Sequence, residues 1–126
     1  MNAAQARAVL DAAVAQADGT PMSVAVVDAA GDLMAFLRMD GAHLGTIEIA
    51  IAKARCAARF RRPTRRFAEA FVAGGGALAS LPGVTPFSGG VPLLEAGVVV
   101  GGVGASGASP DQDERVATAG ASSGRI

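Results

Sequence analysis

Lys53 stands in the row Ile49, Lys53, Cys56 and Phe60, at i, i+4, i+7 and i+11, a spacing that places all four on one side of a helix. An ammonium among such neighbours loses its proton more readily or takes an acidic partner, and Glu48, Asp40 and Asp28 are the candidates. A lysine snorkelling at a subunit interface is the plainer alternative. His43 is the sole histidine. It lies between a strand end, "RMDG", and a helix start, where rigid elements hold a side chain that solvent still reaches. One histidine rules out a two-histidine metal site. It can still ligate a haem iron or shuttle a proton beside Asp40, or be an ordinary loop residue.

Three further constellations surround these residues. Arg38 offers a cation for an anionic ligand, and Glu48 is either part of the same site or a complement to a helix dipole. The stretch "LPGVTPFSGGVP" brings Thr85, Ser88, Gly89 and Gly90 into one proline-stiffened loop. Its hydroxyls and backbone N–H groups suit a carboxylate or phosphate, and they equally suit a tight connection. Seven of the eleven basic residues (Lys53, Arg55, Arg59, Arg61, Arg62, Arg65, Arg66) fall within residues 53–66. As an RNA-binding face this run lacks interleaved aromatics, since the chain has no Trp or Tyr and five Phe. An anion site, including one for haem propionates, and a solvated helix face remain open.

"VVVGGVGASG" (98–107) spells G-x-G-x-x-G through Gly102, Gly104 and Gly107. A dinucleotide site needs a second βα unit and an acidic residue about 20 positions further on. Counting on from Gly107 passes Ile126. The glycines therefore read as places of close backbone approach.

The elements that must position these groups follow from periodicity. Residues 2–17 read as a helix stopped by "DGTP", and 22–28 with 33–40 form a hairpin about "AAGD". Residues 46–61 make a helix with two apolar stripes: Ile47, Ile51, Ala54 and Ala58 on one, Ile49, Cys56 and Phe60 on the other. Pro63 ends it, Thr64 is placed to cap a shorter helix, and 78–90 is a loop. Two strands joined at "EAG" (95–97) lead to a last helix capped by Ser109, with Pro110 at its first position and acids in its first turn. Strands arriving as adjacent pairs imply an antiparallel sheet with helices packed on it, an α/β (α+β) domain spanning 1–126.

Composition bounds the rest. The 126 residues are 51% hydrophobic with mean hydropathy +0.39, which suits one core with apolar surface left for a partner subunit. Eleven basic and eleven acidic residues cancel, so no global field draws the chain to nucleic acid or an anionic membrane. The single Cys56 excludes an intramolecular disulfide. With no secretory or membrane-spanning pattern, the expected location is cytoplasmic.

Together, "SVAVVDAAGDLMAFLRMDGA", "AIAKARCAARF", "LPGVTPFSGGVPLLEAGVVVGGVGASG" and "DQDERVATAG" resemble the GlcG/HbpS-type family, whose relatives include the C-terminal module of PduO proteins. The resemblance covers residues 20–120. It implies a profilin-like α/β/α domain with a central antiparallel sheet flanked by helices, usually a homo-oligomer, and for some members haem or a related tetrapyrrole as ligand. One expectation is a small-ligand binder in which His43, or Met39 near it, approaches the haem iron and an arginine meets a propionate. The alternative is a cofactor-free enzyme acting on a small anionic metabolite. There His43, Asp40 and Lys53 do acid/base chemistry while Arg38, Glu48, Thr85, Ser88, Gly89 and Gly90 bind.

Overall fold

A computed structural model describes residues 1–123. The elements are α1 (Ala3–Ala17), β1 (Ser23–Asp28), β2 (Leu33–Arg38), α2 (Thr46–Phe60), α3 (Arg65–Val72), a 3-10 turn (Gly76–Ser80), β3 (Gly90–Glu95), β4 (Val98–Ser106) and α4 (Pro110–Ala121). The four strands form one antiparallel sheet in the order β2-β1-β4-β3, as the paired strands in the sequence imply. Local chemistry sets the boundaries. Asn2 and Gln5 form a reciprocal capping box on α1, and Asp18 ends it in the left-handed region. Ser109 accepts from Gln112 N at 3.2 Å at the start of α4. Ala96 and Gly97, both at positive φ, close the β3–β4 hairpin.

The sheet carries different side chains on its two faces. Val24 and Val26 of β1, Val103 and Ala105 of β4 and Leu93 of β3 point at α1 and α4, where Val9, Leu10 and Val116 complete a core of large side chains. Ala25 and Val27 face α2, which answers with Ala50, Ala54 and Ala58. The register aligns Ala25, Gly104 and Gly90 in one row and Val27, Gly102 and Pro92 in the next, so α2 lies on a floor of small residues. A methyl group on Gly104 would run into Ala50 O and lie 2.6 Å from Ala54 N. One on Gly102 would meet Ala54 O and stand 3.2 Å from Ala58 N. These two glycines serve helix–sheet approach, the role the sequence assigned to them.

Two expectations need correction. The covered side of α2 is Ala50, Lys53, Ala54, Cys56, Ala57 and Ala58, while Ile47 and Ile51 border it and Ile49 is 43% exposed. Close approach to the sheet admits alanine and leaves the branched side chains at the margin. Thr64 occupies the cap position of α3, but its hydroxyl accepts from Gly90 N at 2.9 Å and not from its own helix. The same residue's N–H donates to Gly90 O, so Thr64 ties the α2–α3 corner to β3.

Candidate functional site

Lys53 is the centre of a buried polar cluster. Its Nζ donates to Ala105 O at 2.9 Å and to Asp113 Oδ2 at 3.0 Å, and lysine and carboxylate side chains are 3% and 7% exposed. Asp113 Oδ1 accepts from Ala108 N at 2.9 Å, so both carboxylate oxygens are used. Burial pulls the Lys53 ammonium below its usual range, and the charge and hydrogen bond of Asp113 partly restore it. The acidic partner is thus Asp113, not Glu48, Asp40 or Asp28. Asp28 instead organises the β1–β2 turn, accepting from Ala30 N and Asp32 N at 3.0 Å each. In the sequence Asp113 looks like one of the acids that complement the α4 dipole. Its pairing depends on β4 bringing the start of α4 beside α2.

This cluster lines a small cleft of about 260 Å³ walled by Ile49, Phe87, Ser88, Ser106, Ala108 and Pro110. Gly89 closes over it at φ +125°, and a Cβ there would sit 2.9 Å from Lys53 Nζ. The loop is less free to cradle an anion than its composition suggests. Thr85 N donates to Cys56 Sγ at 3.5 Å, Gly90 N is held by Thr64, and Gly89 O accepts from Ala105 N. Of the expected ligand-binding residues in this loop, Ser88 and Gly89 meet Lys53. Gly90 faces Thr64 and the Lys53 backbone instead.

A second, larger cleft of about 500 Å³ runs along the other side of α2, lined by Glu48, Ile51, Ala52, Arg55, Arg59, Gly83, Val84 and Thr85. Arg55 Nε donates to Gly31 O and Arg59 Nε to Ala30 O, each at 2.9 Å. Both arginines therefore brace the β1–β2 turn, and no described residue accepts from their Nη groups. The rest of the basic run is dispersed. Arg62 lies 5.7 Å from the Phe67 ring centroid, and Arg65 bridges to Glu114 at 2.9 Å.

His43, Asp40 and Arg38 are exposed at the end of β2 and in the turn before α2. The His43 carbonyl accepts from Thr46 N and, at 2.6 Å, from Thr46 Oγ1, which also bonds Ser23 Oγ at 2.8 Å. Among the described residues no hydrogen bond or ion pair joins His43, Asp40 and Lys53, and His43 lines neither cleft. Met39 packs partly against the α1/α4 core. No group of three or more metal-ligating side chains was found among the described residues.

Comparison with known proteins places this architecture. The profile of the family described as "Haem degrading protein HbpS-like" matches residues 1–122. The chain belongs to the HbpS-like family. HbpS-like relatives of known structure include a double mutant of Streptomyces reticuli HbpS, 38% identical with a TM-score of 0.89 over 96% of this chain and 84% of that one. A solved PduOC–haem complex is 31% identical with a TM-score of 0.86, over 95% of this chain and 91% of that one. Protein GlcG of Escherichia coli K12 is 39% identical over 92 residues, 73% of this chain and 69% of its own. No described helix is long and apolar enough to cross a membrane.

Proposed function

We propose that this HbpS-like chain is a cytoplasmic homo-oligomer that binds haem or a related tetrapyrrole in the larger cleft beside α2. The observation that carries the reading is the chemistry of that cleft. Its volume of about 500 Å³ falls in the roughly 300–1,000 Å³ range of small-molecule sites. Ile51, Ala52 and Val84 supply apolar surface. Arg55 and Arg59, held at Nε by Gly31 and Ala30, present pre-oriented Nη pairs for propionate carboxylates. The PduOC–haem complex among its relatives supports the same ligand class. His43, which lies outside this cleft in its own chain, is the proposed axial ligand from a second subunit. Its ring is exposed and makes no hydrogen bond among the described residues, whereas Met39 is engaged by the core. Leu44, 74% exposed just before α2, is apolar surface for a second subunit to cover.

Haemin titration tests the reading. Native protein is expected to give a saturable, sharpened Soret band that His43→Ala shifts or abolishes, and Arg55→Ala with Arg59→Ala is expected to weaken binding about tenfold or more. Absence of saturable binding refutes the reading; a spectrum indifferent to His43→Ala removes that ligand.

A second reading, a cofactor-free enzyme acting by acid/base chemistry on a small metabolite, is favoured by the Lys53–Asp113 pair, two proton-exchanging groups 3.0 Å apart and both buried. Turnover that survives substitution of His43, Asp40 and Lys53 would discard it.

A further inference from the structure

Lys53 is the only lysine in 126 residues; the other ten basic side chains are arginines. Arginine cannot be deprotonated under physiological conditions, whereas a lysine can become a neutral amine nucleophile. The chain therefore carries its one side-chain amine at its most buried cationic position, 3% exposed. A salt bridge that served only to hold α4 would not need a cleft beside it, yet Lys53 and Asp113 both line one. A further polar group there is unemployed. Ser106 is 6% exposed, lines the same cleft, and its hydroxyl has no hydrogen-bond partner among the described residues.

The charge of the cleft limits what it accepts. Ammonium and carboxylate cancel, Ser88 and Ser106 are neutral, and Ile49, Phe87, Ala108 and Pro110 form apolar walls. An anionic guest would be driven against Asp113, and a cationic one against Lys53. At about 260 Å³ the space is below the usual range for drug-sized ligands, too small for a tetrapyrrole and suited to a short aldehyde or ketone. We propose that this cleft binds a small uncharged carbonyl compound and that Lys53 condenses with it to form an imine.

The step balances without a further reactant. The Lys53 ammonium passes one proton to Asp113 Oδ2, 3.0 Å away, and the freed nitrogen lone pair forms a C–N bond with the carbonyl carbon. The carbonyl π pair moves to oxygen, which takes the proton back from Asp113 to give a carbinolamine. A second proton from nitrogen, relayed by the same carboxylate, lets that hydroxyl leave as water. Ammonium plus carbonyl thus becomes protonated imine plus water. Ser106 donates to the carbonyl oxygen as negative charge develops there, the role of a preorganised donor in a desolvated site. Burial, which disfavours the ammonium, assists the first transfer.

The sole lysine makes the test clean. The 126-residue chain is incubated with propanal and cyanoborohydride at neutral pH, and peptide mapping by mass spectrometry separates Lys53 from the α-amino group. Expected is a saturable propyl adduct on Lys53 that forms at least tenfold faster in folded protein than in the same protein unfolded in urea. Ser106→Val is expected to keep the fold and raise the half-saturating aldehyde concentration about tenfold, the worth of one hydrogen bond in a desolvated site. Labelling of Lys53 that is faster after unfolding, or that fails to saturate, would overturn the proposal and leave the pair as a shielded tie. Neither result bears on haem binding, which occupies the other cleft.

Discussion

Replacing Gly104 by alanine tests the claim that α2 is seated on the sheet by missing side chains. The added Cβ would lie 2.6 Å from Ala54 N, against Ala50 O and 3.1 Å from Lys53 Cβ. Two of these neighbours are backbone atoms inside a helix and have no rotamer to turn to. Restoring an ordinary contact of about 3.5 Å requires α2 to lift by roughly 1 Å, a gap that forfeits a quarter to a half of each affected dispersion contact. Overpacking of this kind costs about 1–3 kcal/mol and more where backbone must shift. The lower entropy of the unfolded alanine chain offsets about 0.4–1 kcal/mol. With the overpacking cost at the upper end, about 3 kcal/mol, the net expectation is a loss of about 2–2.6 kcal/mol, read as a fall in Tm of about 8–10 °C for a domain of this size. Gly76→Ala is the internal control, because nothing lies within 4 Å of its added Cβ and its φ is ordinary; it should be neutral or slightly stabilising. Urea and thermal unfolding of both variants decide the matter. A Gly104→Ala protein as stable as Gly76→Ala would refute the packing argument.

Two other outcomes follow from the buried groups. Asp113→Ala leaves the Lys53 ammonium and Ala108 N without their partner and should cost about 3–5 kcal/mol in urea unfolding, with Lys53→Met in the same chain recovering much of it; strictly additive losses would deny the coupling. Burial raises the Cys56 thiol above its ordinary 9.0, opposed by the Thr85 N–H and the Arg62 charge. The folded state thus keeps a proton that the unfolded chain gives up, and the associated stability, present below pH 9.0, is lost as pH rises through the folded value. Lys53, held below 10.5, acts with the opposite sign, its contribution improving with pH towards 10.5. Between these limits the wild-type urea midpoint should therefore fall relative to Cys56→Ala, and parallel curves would show that the thiol ionises alike in both states.

Local chemistry made most of the fold legible. The β-branched run of β1, the cap at Ser109 with Pro110 behind it, and the turn at Ala96 and Gly97 each act within a few residues of sequence. The site was less legible because its bonds are long-range. Lys53 and Asp113 are 60 residues apart, and Arg55 and Arg59 reach carbonyls 24 and 29 residues away. A lysine in an apolar row shows in the sequence that a carboxylate is needed, but topology selects which one. Likewise the apolar periodicity of α2 weighted isoleucine over alanine, whereas the glycine floor beneath it reverses that order. Ser106 gives no sequence signal, since a serine at a strand end is unremarkable until its neighbours are known.

The Lys53–Asp113 bond is a buried tie between α2 and α4, helices on opposite faces of the sheet, beside the exposed Arg65–Glu114 bridge. One partner belongs to the helix on the alanine face and the other to a helix on the valine face, so the contact passes around the end of β4. Neither helix can peel away without stranding a charge in a dry place. The energetic penalty for partial opening is thereby concentrated at one point, and the two hydrophobic layers are coupled into a single cooperative unit. Amide exchange in α2 and α4 should accordingly report the same opening event, although the two helices lie on opposite faces of the sheet.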